Sequence, residues 1–133
     1  MITPRILIVD DEKGVSGDLA AFLRRRFDCA IVEKQDGKEA LDLVDKQEFH
    51  VVLLDQHMPG IDGFTVLEHI RRKAPQTTVI MVTGLGGAAL SDKVERLGGI
   101  YIAKPVSLKA LHLIIERELE RRGGFSFRRE AGS

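Results

Sequence analysis

Five short runs of consecutive apolar, mostly branched residues recur along this chain, separated by longer segments with helical periodicity. The runs are Ile6-Leu7-Ile8-Val9, Ala30-Ile31-Val32, Val51-Val52-Leu53-Leu54, Val79-Ile80-Met81-Val82 and Ile100-Tyr101-Ile102. A strand with one wet face alternates apolar and polar residues, whereas an unbroken apolar run signals a strand covered on both faces. Such strands belong to parallel sheets, whose crossovers lay helices on either side. The intervening segments can supply those helices. Val15, Leu19, Phe22 and Leu23 share one helical face; Ala40, Leu41 and Val44 share another, behind the capping pair Asp36 and Glu39. Phe64, Leu67 and Ile70 form a third stripe and Leu90, Val94 and Leu97 a weaker fourth. Ser107 can cap a last helix with Leu108, Leu111, Ile115 and Leu119 inward. The expectation is an α/β fold with a parallel sheet and right-handed crossovers. The second run, flanked by Asp28 and Glu33, suits a sheet edge.

A length of 133 residues fits one domain, and 44% apolar with 30% charged residues fits a globular protein rather than a disordered or fibrous one. No apolar run approaches the ~20 residues that span a bilayer, and residues 1–5 lack the layout of a secretory signal. A cytoplasmic location without membrane contact is the expectation. The single cysteine, Cys29, excludes an internal disulfide or a cysteine-built zinc site and reads as an inert small hydrophobe. Twenty bases balance twenty acids, but acids are in excess up to Asp62 and bases after it. Uniform basicity, the mark of a nucleic-acid binder, is missing, so direct nucleic-acid binding is not expected.

The polar residues that close the runs carry the functional signal. Asp10 and Asp11 follow the first, Asp55 the third, Thr83 the fourth, and Lys104-Pro105 the fifth. In an open parallel sheet these points share one edge, the carboxyl ends of the strands, where ligands bind at a reversal of strand order. If the order is 2-1-3-4-5, the reversal lies between the two strands that carry the aspartates. Each residue alone has a structural explanation: a helix cap, a turn, a loop. An acid pair, an acid, a hydroxyl and a lysine at the ends of four strands form a functional constellation. Converging carboxylates repel, and a divalent cation with all-oxygen ligands resolves the conflict, favouring Mg²⁺ or a similarly hard ion such as Mn²⁺. A cation and a nearby ammonium make an anion site suited to a phosphoryl group, and one carboxylate can act as nucleophile to form an acyl phosphate.

In order along the chain stand Ile8-Val9-Asp10-Asp11-Glu12, Leu54-Asp55-Gln56-His57-Met58-Pro59-Gly60-Ile61-Asp62-Gly63, Val82-Thr83-Gly84 and Tyr101-Ile102-Ala103-Lys104-Pro105. With these motifs the chain resembles the receiver domain of two-component response regulators, from about Arg5 to Arg122. The resemblance implies a flavodoxin-like (βα)5 sandwich with strand order 2-1-3-4-5. It implies Asp55 as phosphoacceptor, charged by a sensor histidine kinase or a histidine phosphotransfer protein. Asp11, Asp55 and the backbone carbonyl of His57 would ligate Mg²⁺, with Asp10 reaching it through a water. Lys104 would pair with the acceptor and then with the phosphoryl oxygens, a cis bond before Pro105 aiming it inward. Thr83 would swing to the phosphoryl group, Tyr101 would follow it inward, and the small Gly84 would leave room. Readout would use the face of the fourth helix, fifth strand and fifth helix, including Leu90, Lys93, Val94, Tyr101 and Leu108, docking an effector or a second copy as a homodimer. The chain would be a switch that assists its own phosphorylation and dephosphorylation, not a turnover enzyme. Residues 1–122 would be the receiver domain and 123–133 a flexible tail or the start of a linker.

Two readings stand for the His57 side chain: a modulator of phosphoryl lifetime, or a solvent-facing spectator. The stretch Gly84-Leu85-Gly86-Gly87-Ala88-Ala89 is glycine-rich and expected to be mobile, without the Gly-Lys-Ser/Thr of a P-loop. His50, His69 and His112 share no ligand spacing and suit packing or surface roles. Arg71-Arg72-Lys73 and the charges Glu116 to Arg122 read as solvated helix ends and faces. Two other function classes compete. A Mg²⁺-dependent phosphatase with an aspartyl nucleophile typically separates its two aspartates by one residue, whereas Asp10 and Asp11 are adjacent. A flavodoxin-like nucleotide or flavin binder needs a glycine-rich first turn, and Asp11-Glu12-Lys13-Gly14 is acidic. A receiver that no longer switches and only docks is a third reading, opposed by the complete acid, Thr and Lys set.

Overall fold

A computed structural model describes residues 2–84 and 87–127. Strands and helices alternate: β1 (Arg5–Val9), α1 (Lys13–Arg26), β2 (Ala30–Lys34), α2 (Gly37–Lys46), β3 (Val51–Leu54), α3 (Gly63–Lys73), β4 (Thr78–Thr83), α4 (Ala88–Arg96), β5 (Ile100–Ala103) and α5 (Leu108–Arg122). The strands form one parallel sheet in the order β2-β1-β3-β4-β5, so each apolar run is a strand and the flavodoxin-like topology is the observed one. The chain reverses direction across the sheet between β1 and β3. β2 is an edge strand, and its residues are only partly buried after the exposed Ala30.

Successive strand side chains face opposite ways, so each run feeds two cores. Ile6, Ile8, Val51, Leu53, Ile80 and Val82 meet Leu19, Leu23 and Phe27 of the α1 side and Leu111, Ile115 and Leu119 of α5. Leu7, Val9, Val52, Leu54, Val79 and Met81 meet Ala40 of α2, Val66, Leu67 and Ile70 of α3, and Val94 of α4. Each such side chain contributes about 1.5–3 kcal/mol by leaving water, which is why runs this apolar cannot sit at a surface. The two caps read from the sequence are made, the Asp36 and Ser107 side chains accepting from the backbone N–H groups of Glu39 and Ala110, and Asp62 caps α3 in the same way through Thr65 N–H. Among the described residues no helix is long and apolar enough to cross a membrane.

Four expectations need correction or restriction. Val94, read as part of an exposed readout face, is fully buried, because it is the residue with which α4 seals the second core. The ends of α3 and α5 are not wholly solvated. Arg71 turns inward to the carbonyls of Pro75 and Thr77, and Arg122 to those of His50 and Gln76. Where the sequence suggests a flexible tail from Gly123, the chain runs back beneath the sheet through residue 127. Ile2 N–H donates to the Gly124 carbonyl, Ser126 N–H to Ile2, and Asp28 N–H to Phe127. Phe127, 6% exposed, lies 6.0 Å from the Phe27 ring centroid, and Phe125 meets the His50 ring edge-on at 4.6 Å. The rest of the tail, 128–133, and Leu85 and Gly86 of the glycine-rich stretch lie outside the described residues.

Candidate functional site

Parallel register decides what meets at the carboxyl edge. Val9 of β1 stands beside Leu54 of β3, so Asp10 and Asp55 emerge side by side, and Asp55 N–H donates to the Val9 carbonyl at 3.0 Å. On the other flank, Thr83 pairs with Ala103 and the Lys104 N–H donates to the Thr83 carbonyl at 2.9 Å. The Lys104–Pro105 bond is cis. From there the Lys104 ammonium reaches both aspartates, with Nζ 3.0 Å from Asp10 Oδ2 and 3.1 Å from Asp55 Oδ2.

Asp10 and Asp55 are 3% and 5% exposed. Each divides its oxygens between backbone and ammonium. Asp10 Oδ1 accepts from Glu12 N–H at 2.9 Å, and Asp55 Oδ1 accepts from His57 N–H at 3.1 Å. Burial works against the Lys104 charge, but its hydrogen bonds to Asp10 and then Asp55 outweigh that and raise its pKa above the ordinary lysine value. The ammonium therefore stays charged at neutral pH. One cation facing two nearly buried carboxylates leaves negative charge uncompensated. Asp11 adds a third, exposed carboxylate, and the oxygens of Asp10, Asp11 and Asp55 lie within 4.8 Å of one another. An all-oxygen donor set with surplus negative charge fits a hard divalent cation such as Mg²⁺ or Mn²⁺.

Two close approaches hold the wall of the site. A Cβ on Gly63, at the start of α3, would lie 2.6 Å from the Asp55 carbonyl oxygen and 2.8 Å from Gln56 Cα. A Cβ on Gly37, at the start of α2, would lie 2.6 Å from the Ile61 carbonyl oxygen. Only residues without a side chain let both helices begin against the segment that follows Asp55. Gln56 fastens that segment from inside, its Oε1 accepting from Phe64 N–H at 2.9 Å. The next residue, His57, is exposed to solvent. Thr83 is fully buried at the end of β4, and Gly84 beside it has open space where a Cβ would stand. Tyr101, half-buried on β5, packs against the second core.

The sequence-derived residues Asp10, Asp11, Asp55 and Lys104 thus converge on one point, with Thr83, Gly84 and Pro105 flanking at the same edge. Sequence reasoning passed over Gln56 and Gly37. Gln56 sits inside the quoted motif, but nothing local shows that its amide reaches eight residues forward. Gly37 follows the cap Asp36 and looks like an ordinary first-turn residue; its close contact with Ile61 exists only in three dimensions.

The family model described as response regulator receiver domain matches residues 6–116. Over 122 residues the chain is 37% identical to the transcriptional regulatory protein TcrA of Mycobacterium tuberculosis, covering 90% of this chain and 47% of that protein. It is also 37% identical over 120 residues to the regulatory protein AtoC of Escherichia coli, covering 87% of this chain and 25% of AtoC. The chain therefore spans about half, or less, of the curated relatives it matches. Among solved structures, a CheY-like response regulator receiver domain protein from Methanospirillum hungatei superposes with a TM-score of 0.85 at 28% identity, covering 92% of this chain and all of that one. The BeF3-activated DrrB receiver domain gives 0.82 at 28% identity over 90% of this chain.

Proposed function

The chain belongs to the response regulator receiver domain family, and from that membership we propose that it is a phosphorylation-controlled switch whose acceptor is Asp55. The observation that carries the reading is the placement of one ammonium against two nearly buried carboxylates at the strand-order reversal. A carboxylate oxygen of Asp55 attacks the phosphorus of a phosphohistidine on a sensor histidine kinase or histidine phosphotransfer protein. A phosphorus–oxygen bond forms, the phosphorus–nitrogen bond breaks, and the imidazole leaves with the electron pair. Lys104, kept charged by its two partners, holds the acceptor carboxylate in position and then follows the transferred oxygens. Asp10, Asp11, Asp55 and the His57 carbonyl would hold Mg²⁺ or Mn²⁺, which supplies charge neutralisation between carboxylates and phosphoryl group.

A phosphoryl group on Asp55 adds charge where Lys104, Thr83 and the backbone of His57 must rearrange to receive it. The buried Thr83 hydroxyl turns toward it, and Tyr101 of β5 moves inward behind Thr83. The change is read on the face of α4, β5 and α5, through Leu90, Lys93, Tyr101 and Leu108, by an effector segment or a second copy. The receiver unit would occupy residues 1–122 and work in the cytoplasm. TcrA is named a transcriptional regulatory protein and AtoC a regulatory protein, and both are longer than this chain, which supports an attached output in this protein too. Phosphorylation and hydrolysis are assisted by the site itself, so the chain acts as a switch rather than a turnover enzyme.

Incubation with Mg²⁺ and acetyl phosphate tests the core of this reading. Intact mass should rise by one phosphoryl group in the wild type and stay constant in Asp55→Asn. A folded wild type that gains no mass would overturn it.

A further inference from the structure

At the sheet edge opposite Asp55, a cavity of about 560 Å³ opens between the last turns of α3 and α5. Arg71 comes from α3, Glu118, Arg121 and Arg122 come from α5, and Gln76 and Thr78 form the approach to β4. Three guanidinium groups therefore share the walls with one carboxylate. The volume falls within the range of small-molecule sites, roughly 300–1,000 Å³.

The hydrogen bonds of Arg71 and Arg122 orient them without neutralising them. Arg71 donates to the carbonyls of Pro75, at 3.2 Å, and Thr77; Arg122 donates to those of His50, at 2.8 Å, and Gln76. Carbonyls carry no net charge, and a guanidinium has more N–H donors than these bonds use. Arg71 Nε is sealed from solvent and has no acceptor among the described residues. Glu118 is already committed, accepting from Arg121 at 3.1 and 3.4 Å and from the Thr78 hydroxyl at 2.9 Å. Burial, and then the neighbouring guanidinium, draws the pKa of both Arg71 and Arg122 below the ordinary arginine value. Partly buried like charges held together by neutral carbonyls are a site that an oxyanion would complete, and guanidinium forks match phosphate oxygens.

We propose that this cavity binds a small oxyanion of the diphosphate class, at a site separate from the phosphoryl acceptor. Binding needs no divalent cation, because the positive charge is supplied by the protein. Arg121 is the adjustable contact: it is exposed, bonds only to Glu118 among the described residues, and can turn to the anion. Glu118 opposes the anion.

The probe is inorganic pyrophosphate, titrated into the full chain in EDTA and followed by calorimetry and by the ¹H–¹⁵N resonance of Arg71 Nε. The proposal expects saturable binding with a shift of that resonance, and the same affinity in Asp55→Asn. Arg121→Gln should weaken binding about tenfold, the scale of one charge-assisted hydrogen bond. Glu118→Gln keeps an oxygen for Thr78 and should tighten binding several-fold. Neither change touches the carbonyl bonds of Arg71 and Arg122, and melting curves check that both variants are folded. No saturable binding at millimolar pyrophosphate overturns the proposal. So does binding that disappears in Asp55→Asn, or that neither Arg121→Gln nor Glu118→Gln alters.

Discussion

Replacing Gly63 by alanine should damage both stability and phosphorylation, although the change is one methyl group at the start of a helix. The new Cβ would meet the Asp55 carbonyl oxygen at 2.6 Å, Gln56 Cα at 2.8 Å and Gln56 Oε1 at 3.0 Å, whereas ordinary contact begins at 3.4 Å. Two of the three obstacles are backbone. The first belongs to a residue pinned by its own N–H to Val9, so β3 cannot yield easily. The start of α3 must move instead, loosening the bond from Phe64 N–H to Gln56. Overpacking of this kind costs about 1–3 kcal/mol. For a chain of this size that corresponds to a fall of roughly 5–10 °C in melting temperature, measurable by scanning calorimetry. The mass gain from acetyl phosphate should slow in the same variant, since the start of α3 braces the segment after Asp55 through Gln56. Gly84→Ala is the control for stability, because a Cβ there meets nothing within 4 Å. If Gly63→Ala melts like the wild type, the close approach is wrong.

Three further outcomes follow from other parts of the molecule. Phe127→Ala should cost about 2–3 kcal/mol in urea unfolding, below the 3–5 typical of a fixed core because residues 123–127 can detach; no change would mean that the segment does not pack beneath the sheet. Burial, opposed chiefly by Glu48, lowers the pKa of His50 from its ordinary value of about 6.5, and Nδ1 must stay unprotonated to accept from Arg5 N–H. On acidification the unfolded chain thus takes up its proton first, so this stabilisation is complete above about pH 6.5 and fades as pH falls toward the lower folded value. Unfolding free energies at about pH 7.5 and about pH 5.5 should differ more in the wild type than in His50→Leu, and equal differences would exclude the effect. Gly17→Ala, inside α1 with open space around it, should stabilise by about 0.5–1 kcal/mol in the same assay; a loss would place an unrecognised neighbour there.

The parts legible from sequence are those where local pattern and tertiary role coincide. Val51-Val52-Leu53-Leu54 is apolar on every residue because both faces of β3 are covered, and Asp55 follows because the chain there leaves the core at the carboxyl edge. Capping is equally local: Asp36 reaches only three residues forward to Glu39. What escaped reading depends on distant partners. Arg71 and Arg122 have the spacing of surface charges, yet the carbonyls they bond belong to turns and strand ends that local pattern does not connect with them. Phe125 and Phe127 alternate with small or polar residues in a segment that looks like linker, and only the exposed underside of the first core gives them a place. Val94 shows the converse: the resemblance assigns it to the readout face, whereas its place on the apolar stripe with Leu90 and Leu97 agrees with its burial.

The bridge between Ile2 and Phe125 lays the two ends of the described chain side by side. They meet at the amino edge of the sheet, and Asp55 lies a strand-length away, about 13 Å for a four-residue strand at ~3.3 Å per residue. A short peptide could join these ends, and the chain could be reopened in a surface loop with every strand pairing kept, a circular permutation. For the same reason a fluorescent protein fused directly to Ile2 or Phe127 would sit at the amino edge and leave the carboxyl edge accessible to a phosphodonor.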